Sequence, residues 1–287
     1  MRECKQSQKN TKMNISENII SLLESRHWDK IIKNISDAAT NLKIDFFIIG
    51  AAARDIGMPE NSNFRRTYDI DFAISVTHKN DFFALKEILC LEYSYKEDGE
   101  YKLISKNGET IDLVPYGEMR VNYNEIASVM LNEEGLKEVS ENGLQTIFLS
   151  DETPIKVATL AAVTLLKLIS WDDQKDLRGK DAEDINSIME GYFDLFSNEI
   201  FEEHNDLFNE DDNQNTLLPI GTQVLGRHIG SILKGKTVLI KQVLSILQAQ
   251  TDLEIRLAKR MIKTDEDTIE NKKHLLGLIK RGIEEVL

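Results

Sequence analysis

The run Ile44-Asp45-Phe46-Phe47-Ile48-Ile49 stops at Gly50 and continues as Ala51-Ala52-Ala53-Arg54-Asp55. Six residues bounded by glycine are too short for a buried helix and long enough for a buried strand. The small residues that follow, Ala51 to Ile56, can start a helix. Asp69 to Val76 (DIDFAISV) then alternates with a period of two, as a second strand does. A strand, a glycine turn, a helix and another strand commit this part of the chain to a sheet with helices packed on it.

The rest of the chain falls into place around that sheet. Residues 1–13 read as a disordered leader, and helical spacing runs from Ser16 to Leu42 with a break near Trp28. Helical spacing returns over Lys79 to Leu91. Tyr101 to Ser105 and Thr110 to Val114 bracket Lys106-Asn107-Gly108-Glu109, a hairpin signal with glycine where a positive φ is wanted. Gln145 to Leu149 adds a strand. From Pro154 onward the spacing predicts helices only: one from Pro154 to about Trp171, one over Lys180–Tyr192, and two or three between Leu225 and Leu287. The acidic, Asn-rich stretch Glu202 to Asn215 reads as a loop.

The expected fold class is therefore α+β: a small mixed or antiparallel sheet with flanking helices, followed by a helical C-terminal domain. The expected boundaries are 14–150 for the head, 151–200 for a helical extension that completes the site, 201–216 for an acidic linker and 217–287 for the C-terminal helices.

Charge limits the partners. The chain carries 49 acids against 35 Lys and Arg, a net charge of −14, so blanket binding to nucleic acid or to an anionic membrane is disfavoured. The charge is uneven: from Leu225 to Leu287 there are 12 Lys and Arg against 8 acids, a local +4. No apolar run approaches the roughly 18–20 residues of a membrane span, and the first dozen residues are polar, so a soluble, cytoplasmic protein is expected. Cys4 and Cys90 cannot staple a chain of this size and suit a reducing compartment. The five histidines (His27, His78, His204, His228, His274) are scattered without metal-ligand spacing, so no zinc cluster is expected.

Asp69 and Asp71 hold the chemistry. With 49 acids in 287 residues, roughly eight acid-x-acid pairs arise by composition alone; it is the strand context that sets this pair apart. Residues i and i+2 of a strand share a face, so both carboxylates leave an apolar segment together. Crowded carboxylates raise one another's pKa, and a divalent cation relieves that penalty. Asp112 is a third acid inside an apolar strand, Thr110-Ile111-Asp112-Leu113-Val114. From the residues alone, two readings are equally good: a metal site, or acids that form ion pairs with Arg54, Arg65 or Arg66 or cap turns.

The Gly50 turn offers free N–H groups at a helix start, which bind phosphate. A second phosphate signal, Gly230-Ser-Ile-Leu-Lys-Gly235-Lys236-Thr237, matches GxxxxGK[ST]. It lacks the preceding hydrophobic strand that the motif requires, and reads as a helix–turn–helix junction with exposed lysines.

Taken together, Gly50-Ala51, Asp69-x-Asp71 and Asp112 in strand order resemble the nucleotidyltransferase superfamily typified by DNA polymerase beta. Arg65-x-Thr67-x-Asp69-Ile70-Asp71-Phe72, with Lys167 and Lys180-Asp181-x-x-Asp184 downstream, is similar to the AbiEii-type toxins of type IV toxin–antitoxin systems. The likeness covers roughly residues 36–190. The turn is also similar to the start of tRNA nucleotidyltransferases. One departure is Ala51, where the superfamily has Gly or Ser; a serine-hydroxyl contact to phosphate would be missing, while the backbone donors remain.

The resemblance implies that Asp69, Asp71 and Asp112 hold two Mg2+ ions and are catalytic. It implies that Gly50, Ala51, Arg54, Arg65, Lys167 and Asp184 bind the NTP. It further implies transfer of a nucleoside monophosphate from NTP to an acceptor hydroxyl, such as the 3′ end of tRNA reached by the basic C-terminal helices, and a phage-defence role with a cognate antitoxin. Lys167 is equally well read as a lysine at the rim of an apolar helix, and Asp181 and Asp184 as helix N-terminal charges. Two other functions fit the same residues: a non-catalytic scaffold with this fold, and transfer to a protein or to a small molecule such as an antibiotic.

Overall fold

The computed structural model describes residues 17–59, 67, 69–117, 135–173, 178–208, 217–252 and 255–287. The disordered-leader reading, Cys4, Arg65, Arg66 and residues 209–216 of the acidic linker lie outside these residues. The described chain divides into two compact units, one of residues 1–133 and 144–159, the other of residues 134–143 and 160–287. The chain thus enters the second unit, returns to the first for one hairpin, and leaves it again. Among the described residues no helix is long and apolar enough to cross a membrane.

The first unit is a seven-stranded mixed sheet with helices. Helical residues 17–25 (α1) and Trp28–Leu42 (α2) are separated by a turn in which His27 has φ 58°. The strands are β1 (Phe46–Ile49), β2 (Ile70–Val76), β3 (Lys96–Glu97), β4 (Lys102–Ile104), β5 (Thr110–Gly117), β6 (Leu144–Phe148) and β7 (Pro154–Ala158), in the order β3-β4-β5-β2-β1-β7-β6. β1 runs antiparallel to β2 and parallel to β7, while β2 and β5 are parallel. The helices α3 (Gly50–Gly57) and α4 (Lys79–Tyr93) connect β1 to β2 and β2 to β3. Phe47, Ile48, Phe72, Ile74, Leu113 and Val114 are buried, so the centre of the sheet is the core of this unit.

One expectation is corrected here. The segment from Pro154 is a strand before it is a helix: Pro154–Ala158 forms β7, and the helix starts at Leu160. Ile155 and Val157 are buried while Pro154 and Lys156 are exposed, the alternation of a strand. Its five residues run straight into an apolar helix, which hides the change of period. Proline is tolerated at a strand's first residue.

The second unit is helical: α5 (Leu136–Asn142), α6 (Leu160–Asp173), α7 (Gly179–Glu203), a 3-10 turn at Asn205–Leu207, α8 (Leu217–Leu233), α9 (Thr237–Asp252), α10 (Arg256–Arg260) and α11 (Ile269–Val286). The loop expected from Glu202 therefore starts after α7 and carries a 3-10 turn. α8 and α11 pack backbone to backbone, because a Cβ at Gly226 would lie 2.3 Å from the Ile279 carbonyl oxygen and one at Gly282 would lie 2.1 Å from that of Gln223. The GxxxxGK[ST] match spans the end of α8 and the start of α9, and helix, not strand, precedes it.

Candidate active site

Asp71 stands on β2 directly opposite Asp112 on β5, in parallel register. Parallel neighbours in register point to the same face, so a one-residue difference in pairing would have separated the two carboxylates. Asp71 is within hydrogen-bonding reach of Asp112, and Asp69, just before β2, is close enough to act on it through like charge. The three acids expected to meet are thus neighbours in the first unit. Burial pushes the Asp112 carboxyl up from the usual carboxylate value, Asp69 adds to the rise, and Lys102 opposes it.

Lys102, on β4, lies with Nζ 3.6 Å from Asp112 Oδ1, and both side chains are part-exposed. Sequence reasoning missed it, although the signal was present. A hairpin closed at Lys106–Glu109 pairs residue 102 with residue 112, which is the observed register.

Gly50 faces the acids from β1 and α3. Ile49 is opposite Asp71 in the antiparallel ladder, and Gly50 opens α3 with φ +67°. A Cβ at Gly50 would fall 2.0 Å from Asp71 Oδ2. Glycine is required twice over here: for the left-handed backbone and for the carboxylate that occupies the space of a side chain. Ala51 follows, part-exposed, in the first turn of α3, whose N–H groups have no intrahelical acceptor.

Arg54 lies beneath this turn and is 1% exposed. Its Nε and Nη2 donate to Asp55 Oδ1 at 2.8 and 2.5 Å. Arg26 donates to Asp55 Oδ2 at 2.5 Å and to the Thr67 carbonyl at 3.3 Å. Thr67 in turn donates to the Asp69 carbonyl at 3.3 Å. This chain of bonds ties the base of α3 to the segment that presents Asp69, and makes Arg54 a brace beneath the turn.

Lys167 and Asp184 belong to the second unit, with Asp181. Lys167 Nζ is 2.7 Å from Asp181 Oδ1 and 2.7 Å from Asp184 Oδ2. All three are buried, and Arg178 is 3.8 Å from Asp181 Oδ2. The two acids at i and i+3 thus share one lysine from α6, a pairing that spacing along α7 does not reveal.

The reading of the histidines is also corrected. His204 and His228 come together with Glu199, and their ligand atoms all lie within 4.8 Å of one another. The three are brought together by the end of α7 and by α8, so no local spacing announces them.

The donor set of the first unit suits a hard divalent cation: neighbouring carboxylates, of which Asp112 is part-exposed, and a turn without a side chain beside them. No family model and no curated protein matches the chain. Among solved structures it is similar to an antigenic nucleotidyltransferase-like protein from Paracoccidioides brasiliensis, at 17% identity and a TM-score of 0.41 over 83% of this chain and 95% of that one. It is also similar to the antibiotic-resistance factor ANT(2'')-Ia, at 15% identity and a TM-score of 0.34 over 62% of this chain and 98% of that one. At these scores neither likeness enters the functional reading, which rests on the chain's own residues.

Proposed function

We propose that the chain is a Mg2+-dependent nucleotidyltransferase whose centre is Asp69, Asp71 and Asp112. The observation that carries the reading is the in-register juxtaposition of Asp71 and Asp112, with Asp69 beside them and Gly50 against Asp71. Burial, with the Asp69 charge adding to it, raises the Asp112 carboxyl above its usual value, a cost that makes sense where a cation is to be bound.

Asp69, Asp71 and Asp112 would hold the Mg2+, which when bound supplies charge neutralisation for the triphosphate and acidifies the acceptor hydroxyl. The Gly50 turn and the first amides of α3 bind phosphate oxygens, and Ala51 contributes its backbone only. The acceptor oxygen forms a bond to the α-phosphorus, the bond from that phosphorus to the bridging oxygen breaks, and pyrophosphate leaves with the electron pair. The hydroxyl proton passes to water. Lys102, beside Asp112, is a cation within the same site for the triphosphate. Arg54 serves by bracing the turn. Lys167 and Asp184 are engaged with partners of the second unit and are left out of the proposed centre; Arg65 lies outside the described residues.

The finer reading follows the motif resemblance: the acceptor is the 3′ end of tRNA, and the protein is the toxin of a phage-defence pair with an antitoxin. A second acceptor class, a cationic small molecule such as an antibiotic, draws support from charge. Of the C-terminal cations, Arg227, Lys236, Lys272, Lys273, Lys280 and Arg281 are in ion pairs with acids of the same unit, which shrinks the basic surface available to RNA.

The test is a label-transfer assay with Mg2+ and each of four α-labelled NTPs, offering tRNA, lysate protein and cationic antibiotics in parallel. Transfer to one acceptor that disappears in Asp71→Ala is expected. Equal background from wild type and Asp71→Ala with every acceptor would leave the non-catalytic scaffold as the better reading.

A further inference from the structure

We propose that Glu199, His204 and His228 form a binding site for a divalent transition-metal ion of the zinc class. This does not rest on nucleotidyl transfer, and the ligand chemistry differs: two imidazoles and one carboxylate suit borderline metals, whereas Mg2+ takes oxygen ligands.

Geometry carries the argument. Bonds of about 2.0–2.2 Å at tetrahedral angles put ligand atoms about 3.4 Å apart. Glu199 Oε1 lies 2.8 Å from His228 Nε2 and 3.9 Å from His204 Nε2, values that bracket this separation. Small side-chain adjustments would bring all three onto one ion, with a fourth position left for water.

The backbone is arranged for this meeting. Five residues turn a regular helix by about 140°, so Glu199 and His204 would diverge on an unbroken α7. His204 leaves helical geometry at the end of α7 (φ −125°, ψ 28°), and the break at Phe196 (φ −112°, ψ 18°) sets the direction of the segment that carries both residues. The C-terminal end of a helix also carries partial negative charge, which favours a cation.

His228 has the outer-shell partner expected of a metal ligand. The hydroxyl of Tyr192, itself 1% exposed, is 2.6 Å from His228 Nδ1. A hydroxyl can accept from Nδ1–H, which leaves the Nε2 lone pair toward Glu199. The rings of Tyr192 and Phe196 flank the imidazole at 5.8 and 5.7 Å and fix its plane. His204 must make one adjustment. Arg227 Nη1 is 3.1 Å from His204 Nδ1, and because arginine only donates, Nε2 carries the proton; for a metal to bind Nε2 that proton moves to Nδ1, which breaks the Arg227 contact. Arg227 keeps Asp206 and Glu285 when that contact is given up.

The experiment uses the full chain after treatment with a chelator. Titration with Co2+ should give the visible band of a tetrahedral site, saturating at one equivalent, displaced by Zn2+ and retained under excess Mg2+. Asp71→Ala and His274→Ala should titrate as wild type. His228→Ala and Glu199→Gln should bind at least about tenfold more weakly. In the unmodified chain, Zn2+ should protect His204 and His228, but not the exposed His78 and His274, from carbethoxylation read by peptide mass. The proposal is overturned by the absence of a band, by a band that survives in His228→Ala, or by Zn2+ binding that leaves His204 and His228 unprotected.

Discussion

Two groups of aspartates, one in each unit, meet opposite electrostatic fates. In the first unit Asp112 has Asp71 and Asp69 as near neighbours and a part-exposed Lys102 as the opposing cation, and burial pushes its carboxyl up. In the second unit Asp181 and Asp184 each lie 2.7 Å from the buried Lys167. Both sets look alike as acids spaced to share a face of a strand or a helix. The difference is that α6 delivers a lysine to one set, while parallel strand pairing delivers another acid to the other. A buried ion-pair cluster neutralises its own charge, whereas like charges crowded on a sheet keep a cost that a cation would relieve.

The largest effect that would break this comparison is on the proposed transfer activity. Asp71→Asn or Asp112→Asn should lower it by more than the about 10–100-fold that loss of an outer-shell metal partner costs, with an unchanged or raised melting temperature. A marked loss of stability in these variants would mean that the acids are structural, as in the second unit.

Next comes stability in the second unit. Lys167→Met leaves two buried carboxylates without their lysine, and should cost about 3–5 kcal/mol in urea unfolding. Adding Asp181→Asn and Asp184→Asn should restore most of that loss. Failure of the triple variant to recover would show that Lys167 contributes through something other than this cluster.

Smaller, but sharper, is Gly50→Ala. The left-handed backbone alone costs about 1–2 kcal/mol, and the new Cβ meets Asp71 Oδ2. The same change made in an Asp71→Ala background should cost less, and the double-mutant coupling measures the contact directly.

The smallest effects are in pH dependence, and they have opposite signs. Burial works to raise Asp267, yet the Lys272 ammonium and the backbone N–H groups of Lys263 and Thr264 hold it at about 2 instead of 3.8. Its folded pKa is depressed, so its contribution is present above 3.8 and is lost as pH falls through about 2. Asp267→Asn should lower the melting temperature at neutral pH, and the penalty should shrink across that window. The Asp112 carboxyl is raised from 3.8, so its ionisation opposes folding above that value. Asp112→Asn should raise the melting temperature at neutral pH, a gain that vanishes below pH 3.8.

Much of the architecture was legible along the chain. The β1–Gly50–α3 turn, the β2 alternation and the β4–β5 hairpin follow from local period and from glycine placement. β7 escaped because its alternation is brief and merges with an apolar helix. The place of α5 between β5 and β6 was likewise hidden, since a seven-residue helix offers little periodicity. Within the site, Asp69 and Asp71 could be placed on one face from their spacing alone, and Lys102 could have been placed from the hairpin register.

What the amino-acid order determined by itself was which residues share a face of a strand or a helix, because backbone geometry sets those periods locally. What only the tertiary structure decided was who neutralises whom: Asp112 against Asp71 across parallel strands, Lys167 between Asp181 and Asp184, and His228 beside Glu199 and His204. Counter-charges are assigned by packing between elements far apart in the chain, and no local period records which charges will meet.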